Sequence, residues 1–228
     1  MAVRRPAFPL RVVTSMGLVS RFFKPVGTRR TYGRIMTQAI SELIDGAAAE
    51  AVPVVRGIGD DELDLPTPCA DYTVRDLLNH LFQVVTNFQA LAAKQPADFA
   101  TTPDYLKGDW RGRFAEETAK LGAAWAAPDA EQGVSAGMGL PSRIVGSMAL
   151  LDVTVHAWDL ARATGRDYAP DEQGIEPLYT LVDTMSATAR EMNVFGEPVA
   201  VPADASRFDG LLAATGRDPH WRRERSAG

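Results

Sequence analysis

From Met36 to Gly216 apolar residues return at intervals of three and four, and no run of six or more alternates convincingly as a strand does. Such a chain has to bury helical stripes against one another. Ile40, Leu43, Ile44, Ala47 and Ala51 form the first stripe, predicted to end near Pro53 or soon after it at GIGDDE. In TVRDLLNHLFQVVTNFQALAAK, Thr73 can cap a helix whose third residue, Asp76, approximates the acid of a capping box, predicting helix over about 73–94. Trp110, Phe114, Leu121 and Trp125 predict a less apolar third helix over about 110–127. A fourth is expected over roughly 142–165, capped at Ser142 or a neighbour and stopped by Gly165. A fifth follows over 172–193, then the Pro-rich connection FGEPVAVPADAS and a last short helix in RFDGLLAATGR. Four long helices with short connections predict an all-α four-helix bundle with additional C-terminal helices.

Charge divides the chain into a head and a body. Residues 1–35 hold eight Lys/Arg and no acid, which leaves 16 Lys/Arg against 29 Asp/Glu from Met36 onward, a net of −13. An acidic body argues against a nucleic-acid-binding face there. The head reads as a basic arm, as a targeting segment, or as an extension ahead of a start at Met36. Residues 36–221 are expected to form the bundle and 222–228 a charged tail. One cysteine, Cys69, leaves no intramolecular disulfide and no multi-Cys zinc site, so a cytoplasmic setting is expected. Charge, Gly or Pro interrupts each apolar run before the length of a membrane span, so no membrane partner is expected.

The stretch LLDVTVHAWDLARATG, residues 150–165, puts Asp152 and His156 four residues apart in one of the most apolar parts of the chain. At about 100° per residue the two differ by about 40° in azimuth and share a face. Their row runs Val145, Ala149, Asp152, His156, Asp159, Ala163, three ionisable groups among small residues that leave room at the bundle centre. An acid beside a core needs a partner, since an unpaired buried carboxylate costs several kcal/mol or takes up a proton. His80, two turns into the second helix, can converge on the pair if the second and fourth helices are neighbours. Two imidazoles and a carboxylate form the protein half of an open divalent-metal site. The same spacing also suits a plain hydrogen-bonded acid and histidine. Asp159 either orients the site or faces solvent near the helix end.

The pieces PTPCADYTVRDLLNHL (66–81), DVTVHAWDLARATG (152–165) and LLAATGRDPHW (211–221) resemble the DinB/YfiT-like superfamily. More narrowly, they resemble the actinobacterial proteins related to the N-terminal domain of mycothiol-dependent maleylpyruvate isomerase. The resemblance implies an up-down-down-up bundle holding a divalent metal ion through His80, Asp152 and His156. Zinc is the first choice, with nickel, iron or manganese as alternatives. Relatives often carry Glu or His at the position of Asp152, whose reach is one methylene shorter than that of Glu. The resemblance also implies mycothiol as cosubstrate, a small-molecule thiol or electrophilic substrate, transferase or isomerase chemistry, and compatibility with a homodimer. A non-catalytic metal-binding or stress-response bundle is the alternative.

Three other features point to less. GVSAG (133–137) matches the nucleophile elbow G-x-S-x-G, but AAPDAEQ before it is no strand. Cys69 precedes the second helix by four residues and His80 lies seven rises into it, so the thiol is expected about 10 Å or more from the centre. His220 belongs to a charged tail and is expected at the surface.

Overall fold

The computed structural model describes residues 38–70, 72–136 and 138–223. The basic head 1–35 and the last five residues of the tail, with the expectations attached to them, lie outside the described residues. The helices are α1 (Ile40–Gly57), α2 (Val74–Ala92), α3 (Trp110–Trp125), α4 (Ser142–Thr164), α5 (Glu172–Glu191) and α6 (Arg207–Ala214), with a 3-10 turn at Asp60–Glu62. Among the described residues β pairing is confined to isolated bridges, Pro66 with Thr73 and Val134 with Pro141.

Local chemistry explains most helix ends. Thr73 and Asp76 make the reciprocal capping box at the start of α2. Asp109 caps α3 and Ser206 caps α6 through the backbone N–H three residues on. Gly165, at φ 69°, supplies the left-handed stop after α4. α1 runs through Pro53 and ends at Gly57, the first residue of GIGDDE, as the second of the two expected ends has it; the proline ring sits on the exposed side, where the unpaired carbonyl of the preceding turn meets water. One expectation needs correction. Ser142 does not cap α4: Pro141 precedes the first turn, and Ser142 Oγ instead accepts from Lys94 Nζ at 2.6 Å.

α1 and α2 each pack on both α3 and α4. Contacts at the helix ends fix the directions. Ile40 meets Gly146 near the starts of α1 and α4, and Arg166 reaches Gly57 past their ends, so these two helices run parallel. Arg111 at the start of α3 donates to Ile58 O at the end of α1, which makes that pair antiparallel. Phe82 meets Phe114 while Gln89 reaches Glu117, so α2 and α3 run the same way. Lys94 past the end of α2 meets Ser142 at the start of α4, an antiparallel pair. The topology is up-down-down-up, the DinB-like bundle, with α5 packed on α4 and α1 and α6 packed on α5.

Parallel α2 and α3 require a return connection, and residues 93–109 provide it along the flank of α2. Gln83 Nε2 donates to Thr101 O at 2.8 Å, Asn79 Oδ1 accepts from Tyr105 N at 2.7 Å, and the Tyr105 ring stacks on Phe82 at 5.3 Å.

α4 is the central helix. It is long and apolar enough to cross a membrane by length and composition, which the reading of interrupted apolar runs did not anticipate, but 83% of its most apolar window is buried within the fold. Its apolar surface is therefore used by the protein core. Gly146 lets α4 approach closely, since a Cβ there would stand 2.8 Å from Ile40 Cγ2 and 2.9 Å from the Trp125 ring.

Candidate metal centre

The antiparallel packing of α2 on α4 brings the early turns of α2 to the late turns of α4, so His80 meets the acid and histidine row. Donor atoms of His80, Asp152 and His156 all lie within 4.8 Å of one another. Asp152 Oδ1 stands 3.7 Å from His156 Nε2, and the two imidazole rings are 5.0 Å apart, edge to face. Ligands about 2.1 Å from a tetrahedral ion stand roughly 3.4 Å from one another, so small side-chain rotations close the set.

Behind this set lies a chain of orienting contacts. His156 Nδ1 is 3.0 Å from Asp159 Oδ2, and Arg217 Nε stands 3.1 Å from both Asp159 oxygens. Asp159 is fully buried, and the Arg217 side chain keeps 11% of its surface. A carboxylate held by a guanidinium can only accept, so Nδ1 of His156 donates to it and Nε2 is the ring nitrogen turned toward Asp152 and His80. Of the two readings open for Asp159, the structure selects orientation of the site. Arg217, which sequence reasoning gave no role, arrives from the segment after α6, where Gly216 at φ 87° turns the chain.

Electrostatics keep a proton off His80. Burial, then His156 and Arg217, push His80 down to about 3, so it is a neutral imidazole with a lone pair to give. Burial pushes the Asp152 carboxyl above the usual carboxylate range against the pull of His156 and Arg217. Its side chain keeps 32% of its surface, so the rise is smaller than full burial gives, and the centre is open on that side. The residues fit a divalent ion: two imidazoles and one carboxylate, with His156 Nε2 already aimed by Asp159.

A pH dependence follows for the metal-free protein. His80 titrates near 3 when folded and near 6.5 when unfolded, so between those values the unfolded chain binds the extra proton. Stability should fall as the pH drops from about 7 toward 4. Urea melts at a series of pH values check this, and His80→Gln should flatten the decline relative to wild type.

Cys69 stands closer than its place in the sequence suggests. Its sulfur and donor atoms of His156 and Asp159 lie within 4.8 Å of one another. The expectation of about 10 Å took the chain as running straight back from α2, but Thr67 Oγ1 donates to Cys69 O and Tyr72 O, both at 3.0 Å, and folds the loop over the bundle end. This second group is a poorer cation site, because the Arg217 guanidinium already lies against Asp159. Burial works against that guanidinium's charge, and Asp159 and then Cys69 more than offset it.

The remaining candidates stay apart from the centre. His220 is exposed, its backbone N–H donating to Asp218. Ser135 of GVSAG is buried but has no strand before it, and the next helix starts only at Ser142, so it is no nucleophile elbow; Gly137 lies outside the described residues.

Residues 44–161 match the family model described as the mycothiol maleylpyruvate isomerase N-terminal domain. That span takes in His80, Asp152, His156 and Asp159 and stops before Arg217. The chain is also similar to two mycobacterial proteins, the uncharacterized protein Rv0738 of Mycobacterium tuberculosis strain H37Rv and the uncharacterized protein MT0763 of strain CDC 1551. Each is 32% identical over 167 residues, covering 69% of this chain and 86% of the relative. No solved structure matches at the same stringency. With more than half its length matched, the chain belongs to the mycothiol maleylpyruvate isomerase N-terminal domain family.

Proposed function

We propose that this protein holds one divalent metal ion, zinc first among zinc, nickel, iron and manganese, through His80, Asp152 and His156, and uses it on a low-molecular-weight thiol. The observation that carries the reading is the convergence of three donors within 4.8 Å, one of them pre-aimed by a buried acid. The thiol is mycothiol, by the family to which the chain belongs, and the reaction class is transfer or isomerisation on a small electrophile. When bound, such an ion supplies a Lewis acid that lowers the pKa of a thiol or polarises a carbonyl.

The residues divide the remaining work. His80 and His156 would each donate a ring nitrogen, and Asp152 would contribute charge on the side that reaches solvent. Asp159 fixes the ring of His156. Arg217 keeps Asp159 in place and balances its buried charge. A cytoplasmic protein that binds no nucleic acid and no membrane, and that is compatible with a homodimer, completes the reading; the acidic body supports the first of these exclusions.

One observation favours a second reading, a non-catalytic metal-binding bundle. Asp159, the acid nearest His156, is committed to Arg217 and so is not free to move protons. Cobalt substitution separates the two readings. Metal-free protein loaded with Co²⁺ and then given mycothiol should develop thiolate-to-cobalt absorption in the near ultraviolet. Visible cobalt bands that form and then ignore the thiol would leave only the second reading.

A further inference from the structure

The two histidines are held by different means. His156 has an acid, Asp159, on its outer nitrogen. Among the described residues no carboxylate or carbonyl accepts a hydrogen bond from His80, and its ring instead lies between two other rings. One is His156, 5.0 Å away and edge-on; the other is Tyr72, 5.8 Å away and tilted by 36°. A ligand imidazole usually owes its orientation to a hydrogen bond on the nitrogen away from the metal. Among the described residues, the two ring contacts are what the structure offers His80 in its place.

Tyr72 is well placed to do so, because its own backbone is fixed on both sides. Its N–H donates to Cys69 O at 3.1 Å, its carbonyl accepts from Thr67 Oγ1 at 3.0 Å, and two residues on Val74 N donates to Leu65 O at 2.9 Å. The prolines at 66 and 68 stiffen the same loop. The Tyr72 ring is half-buried and forms part of the apolar margin of the core. It therefore acts as a fixed wall rather than a mobile flap.

We propose that Tyr72 is the positioning residue of His80, its ring fixing that imidazole by contact where Asp159 fixes His156 by a hydrogen bond. The proposal rests on the reading of His80 as a metal ligand. Without the wall, His80 gains rotamers that metal binding must freeze out again, so affinity falls. The contact is between the two rings, so on this proposal phenylalanine keeps it and the hydroxyl is dispensable.

The test uses the full chain and Co²⁺ as probe, followed by visible absorption. Tyr72→Phe should bind within about threefold of wild type, while Tyr72→Ala should bind about tenfold or more weakly, the scale on which supporting partners of metal ligands act. The Tyr72→Ala spectrum should also shift toward the weaker absorption of His80→Ala, as water replaces the loosened imidazole. Should Tyr72→Ala fail to fold, Tyr72→Leu fills the volume without a ring and carries the same expectation. Wild-type affinity in the alanine or leucine variant overturns the proposal and leaves the metal centre standing. A phenylalanine variant as weak as alanine also overturns it, since the hydroxyl would then be the active part. A wild type that takes up no cobalt removes the metal centre and this proposal together.

Discussion

Asp159→Ala should cost on the order of 3–5 kcal/mol of stability, the range for breaking a buried ion pair from one side. The Asp159 side chain has no exposed surface, and Arg217 places Nε 3.1 Å from both its oxygens, so the alanine variant leaves a buried guanidinium with its main acceptor gone. Arg217 retains Thr215 Oγ1 at 3.3 Å, which is no substitute for a carboxylate. Removing both charges should be milder: Asp159→Leu combined with Arg217→Met replaces the pair by apolar volume and should recover a large part of the loss. Urea unfolding of the single and double variants measures both. A single variant within about 1 kcal/mol of wild type would show that the pair is solvated rather than buried. The same substitution frees the ring of His156, so metal affinity should also fall, by about 10–100-fold.

The second large effect is on metal content. His156→Ala removes the imidazole that joins the ligand row to its support, leaving Asp152 and His80 as two donors with no pre-aimed third. Two ligands of this kind do not hold a divalent ion at micromolar protein concentration against buffer, so metal should drop from about one per chain to background. His220→Ala is the internal control, since His220 is exposed and far from the row in its interactions. Equal metal loss in both variants would point to adventitious histidine binding on the surface and against the centre.

How much of this was legible beforehand depends on how local the determining physics is. Helical period put Asp152 and His156 on one face, at i, i+4 in α4, but it brought His80 to them only on the condition that α2 and α4 are neighbours, which the packing of the bundle supplies. Asp159 was ambiguous for a geometric reason. It lies on the same row, but whether a row still faces the core in its last turns depends on what covers the end of the bundle. Here the cover is the segment after α6, and its Arg217 lies 58 residues from Asp159, with no periodicity to connect them. The available hint was a charged residue placed directly after Gly216, a glycine that stops a helix with a buried face.

Cys69 and Ser142 show the opposite error, in which a local rule was applied where a distant partner decides. Distance along a helix axis separates Cys69 from His80, but the hydroxyl of Thr67 folds the loop back and brings the thiol to His156. Ser142 is a good capping residue by type, yet Lys94, from the far end of α2, takes its hydroxyl.

The central claim is that His80, Asp152 and His156 hold a metal ion, and the most direct test is metal content by inductively coupled plasma mass spectrometry. Wild type and His80→Ala are to be purified without a His-tag and without added ions. The account predicts about one zinc, nickel, iron or manganese ion per wild-type chain, absent from the variant. No metal in either protein, even after reconstitution, would contradict it and leave His156 as a structural histidine bonded to Asp159, with Asp152 a neighbouring acid.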